Sequence, residues 1–274
     1  MIQTLRIWAN GYPLRAALLA VLLVEVLFVG PYLIFEGGDA TGGTGRIGYR
    51  LPIEVLVFEW AFVVLALTVV WAFGWAVHSG IASTPDPDGR RAFRWVAAYP
   101  LIILMMAMLA LVAGFTPQDY LRPFLAIVAL NIGVALFEET IFRGILMHGL
   151  RSRFGPFAAL LLSSVIFGIF HFSNVLAGQD FAFTVFQVLN AFALGLVFGA
   201  VYLQTNSLWP PIILHFLWNA AGMTSQMLAE LTLGEAIVQA TTTDISGLWI
   251  YPTAITLIGL LTYNRWQRRV GPVD

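Results

Sequence analysis

Three ionisable side chains fall together in the run Phe137-Glu138-Glu139-Thr140-Ile141-Phe142-Arg143-Gly144, inside a stretch apolar enough to lie in a bilayer. At mid-membrane depth each costs about 2.5 to 3.5 kcal/mol on insertion scales, so each needs a partner or a purpose. Glu139 and Arg143 stand four apart with the acid first, the favourable order for a helical ion pair. Glu138 is turned about 100° around the helix from Glu139 and is left without that cation. A carboxylate among apolar groups with no counter-charge accepts a proton readily, as a general base must. The alternative is an interhelical ion-pair clasp that does no chemistry.

The four histidines separate by position. His78 and His148 fall at the ends of apolar stretches, where an amphipathic ring commonly sits. His171 follows Phe167-Gly168-Ile169-Phe170 within one stretch, and His215 opens the run His215-Phe216-Leu217-Trp218-Asn219 in another. His215 and Asn219 project from one helical face. A lone histidine on an apolar helix is ordinarily a packing residue, but two of them beside a buried Glu-Glu pair point to proton transfer. An Asn amide and an imidazole N–H are donors of the kind that stabilise an oxyanion. The same groups suggest a metal site: Glu138, Glu139, His171 and His215 supply a His2Glu-type set for zinc with room for water. No His-Glu-x-x-His pair pre-forms half of such a site on one helix, so a metal-independent reaction is favoured over zinc.

Composition says where these residues must sit. The 274 residues are 59% apolar and 11% charged, with a mean hydropathy of +0.83, far from the roughly 25% charged residues of soluble domains. The chain belongs in a bilayer. Cysteine is absent, which excludes disulfides, Cys-ligated metals and Cys nucleophiles. A formal charge of -1 leaves no clustered basic face for nucleic acid. About eight stretches approach the 20 or so apolar residues that a span requires: roughly 16–35, 52–77, 95–114, 124–147, 156–172, 181–203, 209–228 and 247–263. The intervening segments, such as Gly37–Gly43 and Ser83–Gly89, carry turn chemistry and too little apolar content for a core of their own. The expected fold is an all-α polytopic membrane protein of about eight transmembrane helices, one domain over 1–274, with its chemistry on the fourth, fifth and seventh spans. The first span is expected to be retained, because its apolar run exceeds a signal h-region.

The fourth and fifth spans join near Gly155-Pro156, a turn signal. Glu139 lies 16 residues before Gly155 and His171 lies 16 after it, so an antiparallel hairpin sets both at one depth, about 24 Å from the turn. His215 fits less well, because Pro210-Pro211 should start its helix only a few residues earlier. Either the Gln204–Pro211 connection is submerged in protein, or the fourth helix protrudes through Arg151.

At these residues the chain resembles the CPBP family of intramembrane proteases, which contains the type II CAAX prenyl proteases and the bacterial proteins once called Abi. The family signatures EExxxR, FxxxH and HxxxN stand here as Glu138-Glu139-x-x-x-Arg143, Phe167-x-x-x-His171 and His215-x-x-x-Asn219. Each is short, but three in this order on three spans make a specific match, covering about 124–228. The resemblance implies peptide hydrolysis inside the membrane, with Glu138 and His171 activating water, and His215 and Asn219 stabilising the oxyanion. Glu139, Arg143 and Phe167 then support that set. It further implies a peptide, prenylated or membrane-embedded protein substrate. The family is often labelled metalloprotease. No Gly-x-Ser-Gly nucleophile is present, and the one Gly-Asp run, Gly38-Asp39, falls in a loop. The competing class is a transporter or immunity scaffold that keeps the cluster without hydrolysis, which leaves the His-x-x-x-Asn spacing and the unpaired Glu without a role.

Glu25, Glu54 and Glu59 fall within spans as helix-helix partners or cavity-lining groups, Asn131 shares a face with Glu138, and Gly195 and Gly199 suit close helix packing more than dimerisation. Arginines settle the expected orientation. Arg6, Arg15, Arg90, Arg91, Arg94, Arg151, Arg153, Arg265, Arg268 and Arg269 fall on one side, against Arg46, Arg50 and Arg122 on the other, so both termini should be cytoplasmic in the cell inner membrane. A reporter fused after Asp274 should be active only when it is of the cytoplasmic type; activity of a periplasmic-type reporter overturns the topology.

Overall fold

The computed structural model describes residues 1–34, 53–87, 89–176, 178–234 and 250–271. Gly37–Gly43, Arg46, Arg50 and Asp274 lie outside the described residues. The described chain is helical: α1 (Ile2–Gly11), α2 (Pro13–Ile34), α3 (Ile53–Phe73), α4 (Arg90–Gly114), α5 (Pro117–Glu139), a π-helical segment (Thr140–Met147), α6 (His148–Arg151), α7 (Pro156–Phe170), α8 (Ser173–Leu176), α9 (Phe181–Thr205), α10 (Trp209–Leu233) and α11 (Ile250–Val270). This is an all-α, multi-pass membrane architecture.

Among the described residues, six helical runs are long and apolar enough to cross a membrane: Pro13–Gly30, Ile53–Phe73, Arg90–Gly114, Pro117–Arg151, Pro156–Leu176 and Phe181–Thr205. Of the eight expected stretches, the remaining two became α10 and α11, of 25 and 21 residues. Their length suffices but their composition does not. Helix α10 carries His215, Asn219, Gln226 and Glu230, and α11 ends in Arg265, Gln267, Arg268 and Arg269. Helix α1 was not expected. It buries Ala9 while exposing Ile2, Leu5 and Ile7, as a helix lying along a membrane interface does. It is tied to the end of α3, where Arg6 Nη2 donates to Trp71 O at 3.0 Å and Asn10 Nδ2 donates to Phe73 O at 3.2 Å.

The fourth expected span is longer than its apolar content suggested. Pro117–Arg151 is one helical run of 35 residues, about 50 Å at 1.5 Å per residue, against roughly 30 Å of hydrocarbon. Its start is fixed by a capping box, with Asp119 Oδ2 accepting from Thr116 N at 2.9 Å and from Thr116 Oγ1 at 2.7 Å. Helix α7 starts at Pro156 after Gly155, and α10 has Pro210 and Pro211 in its first turn, as their sequences dictate.

The connection between α9 and α10 is submerged. Gln204, Thr205, Ser207 and Leu208 are all buried, and Asn206 makes the turn in the left-handed region at φ 49°. The segment after α3, residues 74–87, folds over this turn. Leu208 N donates to Gly80 O at 3.1 Å, Asp86 N to Thr205 O at 2.8 Å, Ser207 Oγ to Ser83 O at 2.8 Å and Trp209 Nε1 to Ile81 O at 3.1 Å. The expected free loop is therefore a fitted plug bonded to the α9–α10 turn at four places, which is what lets non-helical chain lie deep. His215 consequently sits deep although its helix has only just begun. Beside the plug, His78 stacks on His148 with centroids 5.3 Å apart, and Trp75 meets His148 edge-on.

Glycines set the closest helix contacts. Gly195 faces Ser164 and Gly199 faces Leu160 of α7, the close packing expected of that pair. Gly149 is the tightest against rigid atoms: a Cβ there would lie 2.4 Å from Ala17 Cβ and 2.9 Å from Pro13 O. Gly149→Val should lower stability by at least the 1 to 3 kcal/mol of an overpacked core. A detergent-solubilised melt equal to wild type would show that α2 and α6 do not depend on this contact.

Candidate active site

The chemistry-bearing residues meet where α5 passes into the π segment. Such π turns shift the register of the residues that follow, and they recur at functional sites. Here Glu138 and Glu139 close the α-helical part, and Arg143 sits in the widened turn. Arg143 Nη1 donates to Glu139 Oε1 at 2.9 Å, with both side chains at most 1% exposed. Arg143 Nη2 donates to Gly195 O of α9 at 3.2 Å, and its guanidinium lies 4.5 Å from the Phe167 ring centroid and 5.6 Å from that of Phe198. The cation is thus held by one carboxylate, one carbonyl and two aromatic faces.

Glu139 has a second partner that the sequence did not reveal. His215 Nδ1 lies 2.9 Å from Glu139 Oε1, and since a carboxylate oxygen accepts, Nδ1–H donates. This leaves His215 Nε2 facing Glu138 Oε2 at 3.6 Å, just beyond direct hydrogen-bond distance. Phe198 stacks on the His215 ring at 4.9 Å and fixes its plane. His171 caps α7, and its Nδ1 donates to Phe167 O at 3.0 Å. With the tautomer so fixed, Nε2 of the neutral ring carries the lone pair. Phe167 touches every part of this arrangement: its ring also meets His171 at 5.0 Å and His215 at 6.1 Å.

Glu138, His171, His215 and Asn219 all line one cavity of about 880 Å3, within the size range of small-molecule and peptide pockets. Phe167 lines it too, whereas Glu139 and Arg143 lie behind its wall. Asn131 is also on the wall, its Nδ2 bonded to Ile127 O at 2.8 Å. Of the acidic residues left open by the sequence, Glu54 and Glu59 line the cavity and Glu25 does not. The sequence analysis missed Asn174, Gln179, Gln187 and Asn190, also on the wall. Asn174 Nδ2 and Gln179 Nε2 both donate to Gln187 Oε1, at 2.9 and 2.6 Å. The signal was there, since Gln187 and Asn190 are three apart in an otherwise apolar span and share a face.

Among the described residues, no three His, Asp or Glu side chains stand in an arrangement that could hold a metal ion. His215 spends Nδ1 on Glu139, and Glu139 spends Oε1 on Arg143. Of the donor set considered for zinc, Glu138 and the Nε2 atoms of His171 and His215 are left outside these bonds.

Residues 120–221 match the family model of the Rce1-like type II CAAX prenyl endopeptidases. The matched stretch is well under half of the chain. YdiL of Bacillus subtilis (strain 168), a candidate membrane peptidase, is 34% identical over 105 residues, which is 38% of this chain and 38% of YdiL. The chain thus matches well under half of that relative's length. The matched segment runs from the start of α5 into the middle of α10 and contains all three motifs.

Removing the Glu139 charge should be structurally expensive. Glu139→Gln leaves the Arg143 guanidinium buried without its counter-ion, a loss of about 3 to 5 kcal/mol in such settings. Expression or melting temperature should fall markedly; a variant as stable as wild type would mean that the carbonyl and the two rings suffice to hold Arg143.

Proposed function

We propose that this chain is an intramembrane endopeptidase acting through a metal-independent glutamate mechanism. The observation that carries this reading is the segregation of the Glu pair: Glu138 faces the cavity with His171, His215 and Asn219, while Glu139 is consumed behind it by Arg143 and His215. Water held by the Glu138 carboxylate and the free Nε2 of His171 is deprotonated by Glu138 as its oxygen attacks the carbonyl carbon. The tetrahedral oxyanion is met by the Asn219 amide and by His215. Because Nδ1 already donates to Glu139, His215 offers Nε2–H only as the imidazolium, whose charge the Glu139 carboxylate supports. The proton taken by Glu138 then passes to the departing amine as the C–N bond breaks, regenerating the carboxylate.

The substrate class that suits the cavity is a peptide or membrane-embedded protein segment, prenylated or otherwise lipid-associated, reached from the bilayer. Its wall combines Phe28, Phe58, Phe170 and Trp218 with a few convergent polar groups. The protein would act in the cell inner membrane with both termini cytoplasmic, and without nucleic acid.

Glu138→Gln tests the assignment because it is nearly isosteric and an amide takes no proton from water. Cleavage of a peptide substrate in lipid nanodiscs should fall by about 100-fold or more, the scale of a lost general base. The melting temperature should stay at or above that of wild type, since a poorly solvated charge is removed. Near-normal cleavage by Glu138→Gln would overturn the mechanism.

A further inference from the structure

One acidic residue on the cavity wall has no role in this chemistry. Glu59, on α3, is only 8% exposed, lines the cavity, and its Oε1 is enclosed without a hydrogen-bond partner. Its stem is held by close packing, since a Cβ on Gly133 would lie 3.0 Å from Glu59 Cγ. On α9, Asn190 also lines the cavity, and its Oδ1 is likewise enclosed and unpartnered. Orphaned buried acceptors are rare because each forfeits a hydrogen bond to water, and two among the residues lining one cavity call for a donor brought from outside. The sign of the cavity says which donor. Glu54, Glu59 and Glu138 line it, and among the described residues no arginine does.

We propose that Glu59, with the Asn190 carbonyl oxygen, forms a specificity subsite for a cationic group of the substrate, a Lys or Arg side chain or a free amine lying near the scissile bond. An ammonium brings three donors and a guanidinium five, enough to satisfy both acceptors. The proposal rests on the peptidase reading for its substrate and on Glu59 for its selectivity.

The two are tested separately. The probes are two apolar helical peptides, identical except for a central Lys in one and norleucine in the other. Binding is measured in lipid nanodiscs on Glu138→Gln, which should hold the peptides uncut, and the Lys peptide should bind about tenfold more tightly. Adding Glu59→Gln should erase that preference while leaving norleucine-peptide binding intact, which also reports that the variant is folded. Glu59→Asp, which keeps the charge on a shorter stem, should retain part of the preference. Equal affinity for the two peptides in Glu138→Gln, binding of neither, or a preference that survives Glu59→Gln overturns the subsite. Cleavage is scored independently on the wild-type protein. A Lys preference in binding without cleavage of either peptide would overturn the peptidase reading and leave the subsite standing, whereas cleavage without a preference would do the reverse.

Discussion

The Glu139 carboxylate is the interaction on which the site is built. One of its oxygens accepts from both Arg143 and His215, at 2.9 Å each, in surroundings where Glu139 itself is fully buried. Through Arg143 the carboxylate is connected to the Gly195 carbonyl of α9, and through the Phe167 ring to α7. A single anion thus fixes the mutual positions of α5, the π segment, α7, α9 and α10. Separating any of these would expose an unpaired charge to apolar surroundings, a penalty far larger than that of losing a neutral hydrogen bond. The neighbouring Glu138, one position back and about 100° around the helix, inherits a rigid frame without being tied into it.

Aromatic rings carry this frame outward. Phe28, Phe58, Phe62, Phe137 and Phe170 meet at centroid distances of 4.9 to 6.4 Å across α2, α3, α5 and α7. Lipid tails are as apolar as these rings, so helix association here draws on shape and on edge-to-face geometry more than on exclusion of water. The glycines at 195 and 199 serve the same end by letting α7 and α9 approach closely.

Much of the site was legible in the residue types and spacings. The four-residue interval between Glu139 and Arg143 gave the ion pair, Gly155-Pro156 gave the hairpin, and the His-x-x-x-Asn interval put His215 and Asn219 on one wall. Other features depend on contacts distant in sequence. Nothing local distinguishes the π segment from ordinary helix, and the bond from His215 to Glu139 joins residues 76 positions apart. The plug formed by residues 74–87 reads as turn chemistry because its partners, Thr205, Ser207 and Leu208, lie more than 100 positions away. The count of eight spans was harder to verify from composition. Helix α10 earns its place by facing the cavity, and the polar residues that do so lower its apparent hydrophobicity.

The plug has a consequence for traffic. Between the floor of the cavity at Glu138 and His215 and the end of the bundle where α1 lies, the chain places Ile145, Leu146, Met147, Tyr202, Leu203 and Leu208, each at most 4% exposed. This is a packed stopper tied to the plug: Tyr202 Oη donates to Ser79 O at 3.3 Å and Leu208 N to Gly80 O at 3.1 Å. A carrier must open its central chamber alternately to both faces of the membrane, and a stopper packed this tightly makes that exchange costly. Under the proposed peptidase reading, fragments formed beside Glu138 and His215 would leave on the side away from this stopper, and their release would be the step its packing slows.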